Sequence, residues 1–187
     1  MRVPNIPTAI TIVRLLLAPV IAYLIVGGDY AGASAVFVVA ALSDLVDGAI
    51  ARRFSLVSEF GARLDAIADK VLMLATAVAL AWQGLLPFWL AAAIVLRDVV
   101  VLSGAIAYRV AVGHVEMAPS ILSKLNTAFE FTVIAAVIVD AAGGVLDLAA
   151  WRPALFGAVF LTIVLSGGHY VWAWARKAAS ARRAGGG

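Results

Sequence analysis

The residues able to do chemistry are concentrated in positions 44–69, which hold four of the chain's eight aspartates: Asp44, Asp47, Asp65 and Asp69. Asp44 and Asp47 stand three apart, and Asp65 and Asp69 four apart, so on two successive helices each pair shares one face. If those helices are antiparallel neighbours, both pairs lie near the same end, with Asp44 and Asp69 about 10 Å from it. Carboxylates about 4 Å apart repel by roughly 4 kcal/mol at an effective dielectric of 20. Protons or cations must therefore offset them. An oxygen-only donor set without nearby His or Cys favours a hard divalent ion, Mg2+ or Mn2+, and four carboxylates are enough to bridge two. Two-metal oxygen sites commonly serve phosphoryl transfer.

The residues between the aspartates suit the same chemistry. Gly48, Ala51 and Gly61 are small and let a bulky ligand approach the backbone. Arg52 can present a fork of donors to phosphate oxygens, and the spacing suggests a diphosphate lying across two metals. The plainer reading is that carboxylates inside a membrane form ion pairs or a proton path, as a lone Asp in a span often does. Four in this pattern weigh against it.

The elements that must position these groups are apolar. Of 187 residues, 64% are hydrophobic and 13% charged, and the mean hydropathy is +1.05, far from the range of a water-soluble domain. Long apolar runs predict an all-α, polytopic membrane protein, a bundle of six transmembrane helices. The expected spans cover about residues 8–26, 32–52, 63–83, 88–110, 122–142 and 153–175. The second, at 1.5 Å per residue, is roughly 31 Å long. Residues 1–7, with two prolines, read as an interfacial lead-in, and about 178–187 as a flexible tail, within one domain over 1–187. There is no cysteine, which excludes disulfides and thiolate metal sites.

The excess of 14 Lys and Arg over 11 Asp and Glu is assigned to topology rather than to nucleic acid. By the positive-inside rule both termini and the loops after the second and fourth spans are cytoplasmic, and so is the aspartate cluster. Residues 1–7 have no Arg- and Ser-rich leader character, which leads to the expectation of a bacterial plasma membrane.

The pattern Asp-x2-Asp-Gly-x2-Ala-Arg-x8-Gly-x3-Asp-x3-Asp is met at every position from Asp44 to Asp69. It resembles that of the CDP-alcohol phosphotransferases. Pro4-Asn5-x2-Thr8 and the later Arg14-x4-Pro19 look like the amino-terminal part of phosphatidylglycerophosphate and cardiolipin synthases. Arg97-Asp98, and Ser123-Lys124-x-Asn126-Thr127, resemble the eukaryotic-type cardiolipin synthases in particular. The resemblance implies a six-helix fold, usually a homodimer, with the site open to cytoplasm and lipid. It implies that Asp44, Asp47, Asp65 and Asp69 bind two divalent metals, Mg2+ or Mn2+, with Asp69 also the general base. It places Gly48, Arg52 and Ser58, within a CDP-diacylglycerol site that includes Ala51 and Gly61, on the CDP part, and Pro4 and Asn5 near the nucleotide. The implied reaction transfers a phosphatidyl group from CDP-diacylglycerol to phosphatidylglycerol with release of CMP. The alternative acceptor is glycerol 3-phosphate, as in a phosphatidylglycerophosphate synthase. Three positions depart from or add to the pattern: Ala66 where relatives often have proline, Glu130 where they often have glutamine, and Arg63 as an extra cation.

Outside the motif, Arg14 in the first span either reaches the site or snorkels outward. Arg97-Asp98, deep in the fourth, makes either a mutual structural pair or an acceptor contact. Lys124 and Asn126 are acceptor candidates on the resemblance, although Lys124 also suits a solvated charge at an interface. His169 is a weaker acceptor candidate, more often a satisfied core histidine, and His114 reads as a surface residue. The tryptophans suit interface belts. A reading from another class, a cation transporter, needs polar residues continuing across the membrane, and the outer halves of the second and third spans are almost purely Ala, Val, Leu and Phe.

Overall fold

The computed structural model describes residues 6–54, 59–112, 121–143 and 147–184. These form six α-helices and no strand: α1 (Ile6–Val26), α2 (Tyr30–Phe54), α3 (Glu59–Trp82), α4 (Phe88–Val112), α5 (Ile121–Ala141) and α6 (Arg152–Ala184). The helices fall where the apolar runs predict them. The main difference is α6, which continues to Ala184, into the segment expected to be a flexible tail. Its last residues are mostly Ala and Arg, strong helix formers that need no lipid to stay helical.

Among the described residues, two segments are long and apolar enough to cross a membrane, Leu122–Ala141 and Arg152–Tyr170. The apolar parts of the first two helices are shorter, Thr11–Val26 and Tyr30–Ser43.

The chain forms two compact units, one of residues 1–91 and 134–149 and the other of 92–133 and 150–187. In the first unit α1 packs against α2 and α3. The buried residues of α1 are Thr11, Arg14, Ala18, Ile21 and Ile25, a strict 3-4-3-4 spacing, which keeps one seam of the helix facing its partner. On α3 the seam carries Ala68, Leu72, Thr76 and Leu80, and on α2 Ala33, Phe37 and Ala40. The alanines allow close approach of the backbones, the main source of helix association where lipid removes the hydrophobic drive. The opposite face of α1 exposes Ile12, Val13, Leu16, Val20 and Tyr23, apolar groups suited to lipid contact.

Cross-links between α1 and α3 fix their direction. Thr11 meets Asp65 and Arg14 meets Asp69, at sequence separations of 54 and 55, and Gln83 meets Ile25 at 58. A nearly constant separation from one end to the other means that the two helices are parallel, with α2 as the returning strand of chain between them. Both end in the same way. Gly28 and Gly84, with φ of 79° and 73°, close Schellman turns: Gly28 N–H donates to Ile25 O and Asp29 N–H to Leu24 O, while Gly84 N–H donates to Ala81 O and Leu85 N–H to Leu80 O. Only glycine takes that backbone without a Cβ penalty. Asp29 then caps α2, its Oδ1 accepting from Gly32 N–H at 2.9 Å. The Gln83 amide donates to the terminal carbonyls of α1, Ile25 O at 3.0 Å and Val26 O at 2.6 Å.

The second unit repeats the seam. Ile94 and Arg97 on α4, Ser123, Asn126, Glu130 and Val133 on α5, and Phe156, Val159, Ile163 and Ser166 on α6 are its buried residues of three- and four-residue spacing. Here polar groups occupy a large share of the seam.

Candidate active site

Asp65 and Asp69 lie one turn apart on α3, above the apolar seam that begins at Ala68 and Leu72. They converge on one atom. Arg14 Nη1 donates to Asp65 Oδ1 at 2.6 Å and to Asp69 Oδ1 at 2.9 Å, and the Thr11 hydroxyl donates to Asp65 Oδ1 at 3.3 Å. The side chain of Arg14 is 3% exposed and those of both aspartates 42%. The guanidinium thus forms a buried floor, and the carboxylates remain accessible from the other side. Of the two expectations for Arg14, reaching the site is what is found. The reason is its place in the 3-4-3-4 seam of α1, which points it at α3 rather than outward.

Unit charges about 4 Å apart attract by roughly 4 kcal/mol at an effective dielectric of 20. A buried arginine without such partners would be strongly unfavourable, so this ion pair is needed by α1 as much as by the aspartates.

The donor set suits a hard divalent ion. Two carboxylates brought to a single cationic nitrogen, half-exposed, with no sulfur or imidazole among them, form an oxygen cradle of the kind Mg2+ and Mn2+ take. Among the described residues no three acidic or imidazole side chains converge; Asp44 and Asp47 are the other two of the four aspartates expected at the site. Those two, with Gly48, Ala51 and Arg52, lie within α2, and Gly61 and Arg63 within α3. Their side chains are outside the described residues, as are Pro4, Asn5, Ser58 and His114 altogether.

The second unit contains its own polar cluster. Arg97, 5% exposed, donates from Nη1 to Asp98 Oδ1 at 2.8 Å and from Nη2 to Ser123 Oγ at 2.6 Å and Ser166 Oγ at 3.1 Å. One guanidinium therefore ties α4, α5 and α6 together, and the mutual Arg97–Asp98 pair is present. One turn further along α5, Asn126 Nδ2 donates to Glu130 Oε1 at 2.7 Å, both residues being 1% exposed. Glu130, the departure from the expected glutamine, thus has its polar contact within its own helix. Buried Arg97 Nε and Asn126 Oδ1 have no hydrogen-bond partner in this cluster. Lys124 is exposed, as the solvated-charge reading has it. His169 is also exposed and stacks edge-to-face on Tyr170 at 6.4 Å. This corrects its reading as a core histidine, because position 169 lies off the seam that runs through Ile163 and Ser166. Sequence reasoning overlooked Thr11, Ser123 and Ser166 as partners of the charged groups. Their seam spacing, 11 to 14 on α1 and 163 to 166 on α6, was the available signal.

Comparison with known proteins decides the family. The sequence model described as CDP-alcohol phosphatidyltransferase matches residues 4–175. The chain belongs to this family. Among CDP-alcohol phosphatidyltransferase relatives, a probable cardiolipin synthase (CMP-forming) of Drosophila melanogaster is 35% identical over 86% of this chain and 54% of its own length. The human cardiolipin synthase (CMP-forming) is 34% identical over 71% of this chain and 49% of its own. A probable phosphatidylglycerophosphate synthase of Mycobacterium tuberculosis is 31% identical over 91% of this chain and 81% of its own. The chain spans about half the length of the fly and human relatives. As a CDP-alcohol phosphatidyltransferase it carries the family motif on α2 and α3, the pair of helices that begins and ends the stretch from Asp44 to Asp69.

Proposed function

We propose that this chain is a membrane-embedded transferase, with six spans, that moves a phosphatidyl group from CDP-diacylglycerol to phosphatidylglycerol, giving cardiolipin and CMP. The observation that carries the reading is the convergence of Asp65 and Asp69 on buried Arg14, which assembles the α3 half of the motif into a half-exposed carboxylate site. Asp44, Asp47, Asp65 and Asp69 would hold two divalent ions, which when bound supply charge neutralisation at the diphosphate. Asp69 takes the proton of the acceptor hydroxyl. The hydroxyl oxygen forms a bond to the phosphatidyl phosphorus as the bond from that phosphorus to CMP breaks, and CMP carries away the electron pair. Gly48, Ala51, Arg52, Ser58 and Gly61 would bind the CDP-diacylglycerol headgroup, with Pro4 and Asn5 beside the nucleotide. The enzyme would act in a bacterial plasma membrane as a homodimer, its site and both termini on the cytoplasmic side.

The acceptor assignment follows the relatives named cardiolipin synthase. A second acceptor, glycerol 3-phosphate, is favoured by the mycobacterial relative, of which this chain covers 81%. A phosphomonoester needs a basic pocket, for which buried Arg97 with Ser123 and Ser166 is the best formed candidate, with Asn126, Lys124 and His169 as lesser ones. CMP release by the purified protein with CDP-diacylglycerol and Mn2+ or Mg2+ distinguishes the two. Turnover with phosphatidylglycerol and not with glycerol 3-phosphate or inositol phosphate is the expected result, abolished by EDTA. Turnover only with glycerol 3-phosphate moves the assignment to the second acceptor, and turnover insensitive to chelation overturns the metal site.

A further inference from the structure

We infer that Arg14 is a built-in counter-cation of the carboxylate site: it holds Asp65 and Asp69 together when no metal is bound and weakens the hold on a divalent ion when one is. The inference rests on the metal reading above and concerns what this side chain does to it.

Three observations carry it. Arg14 occupies a core position on the α1 seam, between Thr11 and Ala18, and is 3% exposed, so leaving the two carboxylates would strip a buried charge of both these ion pairs. Asp65 and Asp69, at 42%, are open on another side, so an ion can reach them without displacing the guanidinium. Both contacts come from one nitrogen to Oδ1 of each carboxylate. A metal at about 2.1 Å from a carboxylate oxygen would therefore sit within roughly 5 Å of a permanent positive charge. Arginine stays protonated at every relevant pH, so the repulsion cannot be relieved by proton loss.

A hydrogen bond to a ligating carboxylate ordinarily strengthens metal binding by orienting it, and its loss weakens affinity about 10–100-fold. Here the donor also carries the same sign as the metal at close range, in a partly buried site where Coulomb interactions are strong. The charge outweighs the orientation. Thr11, which donates to the same oxygen of Asp65 without a charge, separates the two effects. The consequence is a site in which bound metal is kept exchangeable and the metal-free protein is kept folded by the same arginine.

The test is Mn2+ binding to the full chain in detergent micelles without lipid substrate, read as free Mn2+ by electron paramagnetic resonance and as the Mn2+-induced rise in thermal midpoint. Arg14→Gln should bind Mn2+ at least about tenfold tighter than wild type and gain more thermal stability from it. Arg14→Lys, which keeps the charge, should stay within about threefold, whereas Thr11→Val, which removes only a neutral donor, should weaken binding rather than tighten it. Arg14→Gln is purified in Mn2+ and its affinity read by chelator competition, so that instability of its metal-free form does not prevent the measurement. Unchanged or weaker binding in Arg14→Gln overturns the role assigned to Arg14. An Asp65→Asn, Asp69→Asn double variant separates this from failure of the metal reading. If it binds Mn2+ as wild type does, there is no aspartate metal site for Arg14 to oppose, and both fall.

Discussion

At the scale of single residues, the two charged clusters predict opposite phenotypes. Asp69 is half-exposed in its contact with Arg14, and if it is the general base proposed above, its change to Asn should cost about 10²–10⁴ in CMP-release rate. The thermal midpoint in detergent should fall less than on loss of Arg97, because Asp65 still pairs with Arg14. Retained turnover in Asp69→Asn would assign the base elsewhere. Arg97 is buried, with three side-chain oxygens on its two terminal nitrogens. Its removal as Arg97→Met leaves Asp98 without this charge partner and takes one donor from each of two buried hydroxyls, and should destabilise the protein by about 3 kcal/mol. A variant as stable as wild type whose acceptor KM rises would instead identify Arg97 as an acceptor contact.

At the scale of elements, the parallel pairing of α1 and α3 is what makes the site. Arg14 and the capping Gln83 contacts lie at opposite ends of the same helix pair, and the small residues between them set the separation. Ala18 is fully buried one turn beyond Arg14. Ala18→Leu should push the helices apart, cost roughly 1–3 kcal/mol, and lower turnover through the displaced Arg14. Normal activity in a folded Ala18→Leu variant would mean that the α1–α3 spacing does not control the site. Gln83→Ala removes two hydrogen bonds to the end of α1 far from the aspartates. It should lower stability by about 1 kcal/mol with turnover essentially intact, and a large loss of activity would contradict the separation of cap from site.

At the scale of the whole molecule, the proposed six spans put alternate loops on opposite sides of the membrane. Because the chain has no cysteine, single cysteines report this directly. Ala31→Cys and Ala149→Cys should react with a membrane-impermeant maleimide from one side and Ser180→Cys from the other, in intact cells against inverted vesicles. Labelling of Ala31→Cys and Ser180→Cys from the same side would break the topology. Exposed aromatic groups fit the embedded reading: Trp82, Phe88, Trp89 and Trp151 are each more than half exposed near a helix end, the positions aromatic belts occupy at a membrane interface.

The sequence by itself determined the family and the all-helical character, because both are written locally: the aspartate motif is a matter of fixed spacing along two adjacent segments, and an apolar backbone must satisfy its hydrogen bonds within each segment. Helix ends were also legible where a glycine must take positive φ, as at Gly28 and Gly84. What only the tertiary structure decided is which buried charge answers which. Arg14 stands 51 residues from Asp65, and Arg97 stands 69 from Ser166. Nothing local distinguishes an arginine that snorkels from one that turns inward. The choice is made by which seam packs against which neighbour, and for Arg14 the seam of α1 packs on α3, directly against the aspartates.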